Sequence, residues 1–249
     1  MDKRWDEILS RYNDLWNKLA PIDDKHPNNG MTQKRNEIME LWSIFERVEP
    51  TIILEIGVSQ GGTFAGWCQL ASDDALIIGI DRDPNDCYPR KGNQVHPDIG
   101  DLTLKMTEEG GGMYALKRKG SHQTIVPIVG MSFDPIVIKK LKGVLNGRKI
   151  DFIFHDASHE YSMTVKDFEL YWPLVAPGGV MAFHDIAYYS GKDINKWRWW
   201  REILRFGPYD YAYTFEHNDR KDLSMGIGVL FKKVIDEGFK INNKDDYKK

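Results

Sequence analysis

The chain lacks the features that would place it in several whole classes of protein. Only two of its 249 residues are cysteine, Cys68 and Cys87, too few for a disulfide framework or a thiolate zinc site. One reads as a buried thiol and the other as a loop thiol. No run of about 18 apolar residues occurs, so no transmembrane helix is expected. The first residues, Met1 to Asp6, are charged and hold no apolar stretch, so no secretory leader is expected. Neither sign of charge dominates: 34 Lys and Arg stand against 37 Asp and Glu, for a net charge of −3. That balance favours neither a nucleic-acid backbone nor an acidic membrane surface as partner. There is no internal repeat, low-complexity tract or domain linker. The expectation is a cytoplasmic globular protein with 41% apolar and 29% charged residues. It is long enough for one large α/β domain with a sizeable core.

The patterning supports that class. Residues 3 to 20 carry an apolar stripe at helical spacing (Trp5, Ile8, Leu9, Tyr12, Leu15, Trp16, Leu19). A polar loop, Pro21 to Gly30, leads to a second helix from Thr32 to Val48, with Pro50 as its stop. Strands and helices then alternate. Strands are expected at Thr51–Ile56, Leu76–Ile80, Thr124–Val129, Lys149–His155 and Val180–His184. Helices are expected at Thr63–Ala71, Pro135–Leu145, Glu160–Leu174 and Ile194–Phe206. Two last strands, Tyr209–Glu216 and Gly226–Lys232, have a connection short enough to require antiparallel pairing. Residues 82–123 are polar and Gly-rich, with a helix expected at Leu102–Glu109, and read as either a lid or a plain surface insertion. The division is a helical extension (1–48), a main domain (49–235) and a polar tail (236–249). The fold is a doubly wound, mostly parallel sheet with an antiparallel C-terminal strand.

Two identical triplets carry the strongest chemical signal. Phe154-His155-Asp156 and Phe183-His184-Asp185 each close an apolar strand. Ligands of open α/β sheets bind beyond the carboxyl ends of the strands. Charges there must be paired, solvated or metal-bound. The triplets therefore hold a metal, perform acid–base chemistry or cap strands.

A second signal sits where the first strand meets its helix: Leu54-Glu55-Ile56-Gly57-Val58-Ser59-Gln60-Gly61-Gly62. Its G-x-x-x-G-G spacing differs from the G-x-G-x-x-G of dinucleotide enzymes. Glu55 would repel a pyrophosphate and suits a ligand with a cationic or hydroxyl-bearing part. Asp81 ends the second strand, where a carboxylate can accept hydrogen bonds from both ribose hydroxyls.

Glu-x-Gly-x-x-x-Gly followed by an acid at the end of the second strand resembles class I S-adenosylmethionine (SAM)-dependent methyltransferases. The stretch from Asp151 to Ile186, with Pro177-Gly178-Gly179 and both triplets, is similar to the methyltransferase-24 subfamily, close to metal-dependent O-methyltransferases of sugars and catechols. The resemblance covers residues 50 to 232 and implies a seven-stranded Rossmann-like methyltransferase sheet. It assigns SAM contacts to Glu55, Gly57, Ser59, Gly61, Gly62 and Asp81. It adds the segment after the third strand, Gly130, Met131 and Ser132, although many members carry an acid where this chain has Met131.

In the metal-dependent relatives, the fourth strand end supplies one ligand and the fifth supplies two. Those positions are Asp156, His184 and Asp185. Relatives commonly have a carboxylate or amide at the His184 position, so the set suits Mg²⁺ first and also Mn²⁺ or Fe²⁺. The rival reading is a metal-free site with His184 or His159 as base. His159 stands where catechol-type relatives place their base, and a histidine side chain is able to take a proton at neutral pH. Asp156, His159 and His184 are thus the catalytic candidates. His155 points away from Asp156 by strand alternation and reads as a structural residue satisfied by backbone or solvent. In Lys196-Trp197-Arg198-Trp199-Trp200-Arg201, basic and aromatic residues interleave as in some nucleic-acid binders. Trp197, Trp200 and Leu204 more simply form the packed face of a helix. The N-terminal stripe packs on the core, caps the SAM site or forms a homodimer contact.

The implied activity is SAM-dependent O-methylation of a small hydroxylated molecule, such as a sugar or glycoside, with a divalent metal. Two alternatives stand beside it: an oxidoreductase of the cephalosporin-hydroxylase type, and a non-catalytic SAM-binding protein.

Overall fold

The computed structural model describes residues 3–19, 33–59, 61–82, 102–106, 114–118, 121–188, 195–216 and 225–234. The chain runs α1 (Lys3–Leu19), α2 (Arg35–Val48), β1 (Ile52–Ile56), α3 (Gly62–Leu70), β2 (Leu76–Asp81), β3 (Leu102–Met106) and β4 (Tyr114–Arg118). It continues with β5 (Thr124–Val129), α4 (Pro135–Leu145), β6 (Ile150–His155), α5 (Tyr161–Tyr171), β7 (Val175–His184), α6 (Lys196–Phe206), β8 (Tyr211–Phe215) and β9 (Ile227–Phe231). Cys87 and the polar loop before α2 lie outside the described residues, as does most of the 82–123 insertion. Among the described residues no helix is long and apolar enough to cross a membrane.

The strands form one sheet in the order β3-β4-β5-β2-β1-β6-β7-β9-β8. β5, β2, β1, β6 and β7 are mutually parallel, while β9 runs antiparallel to both neighbours. The expected seven-stranded sheet is thus present, and β3 and β4 extend it past β5 as an antiparallel pair. This corrects the helix expected at 102–109. Leu102, Leu104 and Met106 alternate with polar residues, a period of two that suits a strand, and pairing with β4 satisfies the backbone groups along one side of it. The Pro177-Gly178-Gly179 turn lies within β7, where the register slips between the Ile150 and Phe152 pairings with β6.

Central strands buried on both faces read as unbroken apolar runs, and all five residues of β1 are buried. One face packs on α1, α2 and α3, where Phe45, Trp67, Phe152 and Phe154 meet with ring centroids 4.9–5.5 Å apart. Each such side chain contributes roughly 1.5–3 kcal/mol through burial. Tyr12 and Leu19 of α1 are buried in this cluster, and the Tyr12 hydroxyl donates to Glu46 of α2. The other face packs on α4, α5 and α6.

In α6 the packed face is Lys196, Trp199, Trp200 and Ile203, not Trp197, Trp200 and Leu204. Trp200 lies flat on Gly228, where a Cβ would come within 2.6 Å of the indole. Trp197 is instead only partly buried, between Tyr188 and the guanidinium groups of Arg198 and Arg201.

Candidate active site

The loops leaving the carboxyl ends of β1, β2, β5 and β6 enclose a cavity of about 420 Å³. Gly57, Ser59, Asp81, Gly130, Met131, Ser132 and Asp156 line it. Gly57 has φ +88°, and a Cβ there would lie 2.2 Å from the Asp156 carbonyl oxygen. Only glycine combines that backbone with that approach. The Ser59 N–H donates to Asp81 Oδ2 at 2.9 Å, tying the first turn to the second strand. Gly61, with φ +81°, is the N-cap of α3, and Gly62 opens that helix. Asp134 accepts from the Ile136 N–H at 2.8 Å and caps α4.

Glu55 is fully buried behind the turn and accepts a hydrogen bond from Thr63. Burial raises its pKa well above the usual carboxylate range; Thr63 opposes this and nearby Asp156 reinforces it. Burial thus favours its uncharged form.

Asp156, His184 and Asp185 converge at the cavity's edge. One ligand atom from each lies within 4.8 Å of the others. His184 Nδ1 is 3.1 Å from Asp156 Oδ1 and 3.3 Å from Asp185 Oδ2. His159 joins from the β6–α5 loop, with Nε2 3.0 Å from Asp185 Oδ2 and its side chain 43% exposed. Asp185 has φ +61°, a left-handed conformation uncommon outside glycine, which points to a constrained site. Burial works against charge at His184, but Asp156 and Asp185 outweigh it and push its pKa up to about 10. Burial likewise works against both carboxylates, and His184 overcomes it and holds each below its ordinary range.

His155 lies in an adjoining cluster on the other face of the sheet, which the charge of Lys196 couples to Asp156 and Asp185. It pairs in register with Phe183, not with His184, so the two triplets are offset by one residue and their histidines face opposite sides of the sheet. Its Nε2 is 2.9 Å from Asp167 of α5, and its Nδ1 is 3.3 Å from the Lys196 ammonium of α6. All three side chains are buried. The partner of His155 is thus a buried carboxylate rather than backbone or solvent. Burial and then Lys196 lower the His155 pKa. Burial also lowers that of Lys196, against the pull of Asp185, Asp156 and Asp167. Asp167 also reaches the cavity wall.

Residues 54–186 match the methyltransferase domain family known as methyltransferase-24. The chain belongs to that family. Its fold is shared with an O-methyltransferase from Bacillus cereus in complex with SAH, at 16% identity and a TM-score of 0.55 over 93% of this chain and 92% of that one. It is shared with the O-methyltransferase TomG of Streptomyces achromogenes, in complex with SAM, at 14% identity and a TM-score of 0.57 over 94% and 100%. An rRNA methylase from Streptococcus thermophilus has it too, at 12% identity and a TM-score of 0.53 over 82% and 99%. The class I methyltransferase fold therefore does not name an acceptor. In sequence, the chain is 29% identical over 149 residues to an uncharacterized protein of Acanthamoeba polyphaga mimivirus, covering 60% of this chain and 57% of that one.

The residues that converge at the strand ends are legible in the sequence of this family member. Lys196, disguised as one charge in a basic run, and Gln33, whose side chain reaches Asp156 from 123 positions away, are not.

Proposed function

We propose that this protein transfers the methyl group of SAM to a hydroxyl oxygen of a small molecule, with a divalent cation at Asp156, His184 and Asp185. The observation that carries the reading is the convergence of those three donors beside the cavity lined by the first glycine turn and Asp81. The donor set fits a metal. A cation bound at 2.0–2.1 Å sets adjacent ligands about 3 Å apart, close to the 3.1 and 3.3 Å found around His184 Nδ1. Mixed carboxylate and imidazole donors suit Mg²⁺, Mn²⁺ or Fe²⁺.

Each residue then has a role. Asp81 offers its carboxylate to the ribose hydroxyls of SAM, and the backbone at Gly57 and Ser59 borders the methionine end. Met131 and Ser132 border the adenine. Glu55, buried and fixed by Thr63, supports the turn. A divalent cation supplies a lowered hydroxyl pKa and a fixed direction for the attacking oxygen. His159, exposed and with its Nε2 facing Asp185 Oδ2 at 3.0 Å, takes the acceptor proton at the other ring nitrogen, Nδ1. Methyl transfer is an in-line displacement, so holding the oxygen in place supplies much of the rate.

The test is methyl transfer from isotopically labelled SAM to sugar and catechol acceptors, with Mg²⁺, Mn²⁺ or Fe²⁺ added, or with chelator. Label on an acceptor oxygen that disappears with chelator supports the reading. Transfer indifferent to chelator removes the metal from it. Oxygen consumption with Fe²⁺ and no transfer would point to hydroxylation instead.

A further inference from the structure

Gln33 reaches the site from outside the region matched to the family. It precedes α2, and its side chain is more than nine-tenths buried. Its Nε2 donates to Asp156 Oδ2 at 2.5 Å, while Asp156 Oδ1 faces His184 Nδ1 at 3.1 Å. The two oxygens of one carboxylate are thus held by different partners on different elements. The Asp156 N–H is also fixed, donating to the Ile56 carbonyl at 2.8 Å. Gln33 Oε1 is buried with no partner among the described residues, so the contact with Asp156 is what offsets burying this amide. Turning the amide over would set Oε1 against a carboxylate oxygen, so the charge of Asp156 fixes the N–H toward it.

The first turn of α2 is itself anchored to the other side of the site. Buried Glu37 accepts from the Gly226 N–H at 3.0 Å. The Gly226 carbonyl in turn accepts from the N–H of Ile186, the residue after Asp185. One helix start therefore braces both acidic strand ends, one through a side chain and the other through backbone.

We propose that Gln33 is a positioning residue for the metal site: it holds Asp156 Oδ2 so that Oδ1 faces the ion shared with His184 and Asp185. This rests on the metal-assisted reading above. Partners of this kind, which hold a ligand without touching the ion, typically contribute 10–100-fold in metal affinity.

The experiment is Mn²⁺ binding to the full chain, followed by electron paramagnetic resonance for wild type, Gln33→Ala and Gln33→Glu, with SAM affinity and thermal midpoint measured alongside. Gln33→Ala should weaken Mn²⁺ binding by about 10–100-fold while SAM affinity and the midpoint stay near wild type. Gln33→Glu keeps the size of the side chain, loses the donor and faces Asp156 with a second carboxylate, so it should weaken Mn²⁺ binding at least as much. Unchanged Mn²⁺ affinity in both variants overturns the role of Gln33 and leaves the metal reading intact. Tighter Mn²⁺ binding by Gln33→Glu also overturns it, since the side chain would then be a ligand. A wild type that binds no Mn²⁺ overturns the metal reading, and the role of Gln33 with it.

Discussion

His155 and His184 hold the same place in two identical triplets, at the ends of neighbouring strands, each beside a carboxylate. Their surroundings drive them to opposite states. His184 faces two carboxylates and is pushed up to about 10. His155 faces one carboxylate and one ammonium in a fully buried pocket, and its pKa is lowered. The cause is a register offset of one residue, which turns His184 toward the α2 side and His155 toward α5 and α6. A motif therefore does not carry its chemistry with it; the charges its face meets decide what it does.

The largest effect should come from the open cluster. Asp156→Ala should lower turnover at least about 100-fold, as expected for loss of a metal ligand, with SAM affinity nearly unchanged. Kinetics paired with SAM calorimetry check this, and equal loss of both would place Asp156 in the cofactor site. Next is the closed cluster. His155→Ala strands Asp167 and Lys196 in the interior, where breaking a buried charged network costs about 3–5 kcal/mol. Urea titration should show that loss while Mn²⁺ affinity holds, whereas His184→Ala should abolish Mn²⁺ binding. If the two variants gave the same phenotype, the two clusters would be one.

The opposite pKa shifts predict opposite pH slopes in chelator-treated protein. The folded His184 pKa is raised, so its stabilisation is full below the ordinary value of 6.5 and is lost as pH rises toward about 10. The folded His155 pKa is lowered, so its contribution is full above 6.5 and is lost as pH falls. Denaturation midpoints of wild type and His184→Gln between pH 6 and 10 should converge as pH rises; parallel curves would count against the charged His184. The smallest effect belongs to Glu55→Gln. Because burial raises the folded Glu55 pKa well above its usual range, the neutral amide should cost less than about 1 kcal/mol at neutral pH. A larger cost in denaturant titration would mean that the acid is ionised.

Much of the fold was legible because the central strands are buried on both faces and so read as unbroken apolar runs. The convergence of Asp156, His184 and Asp185 was legible because strand ends in such sheets meet at one edge. What escaped depended on partners distant in sequence. Asp167 is 12 residues from His155, Lys196 is 41 residues from it, and Gln33 is 123 from Asp156. Hydrophobic periodicity says nothing about such pairs. In α6 the packed stripe does follow helical spacing through Lys196, Trp199, Trp200 and Ile203, but a lysine stands where the pattern asks for an apolar residue. The β3 strand carries its alternation, but the polar, Gly-rich segment around it masks that period.

The missing Cβ of Gly57 has a consequence for how a protein with the proposed activity could acquire new acceptors. With the backbone of one loop seated against the carbonyl of Asp156, the turn after β1 and the turn after β6 form a single joint. Shifting either would drag the other. Under the proposed transfer, the spacing between methyl donor and receiving oxygen would be a dimension of the scaffold, like the gap of a fixed gauge. Acceptor range would be retuned elsewhere on the cavity wall, by residues such as Glu160 and Met163, and engineering that redraws that wall could leave the gauge untouched.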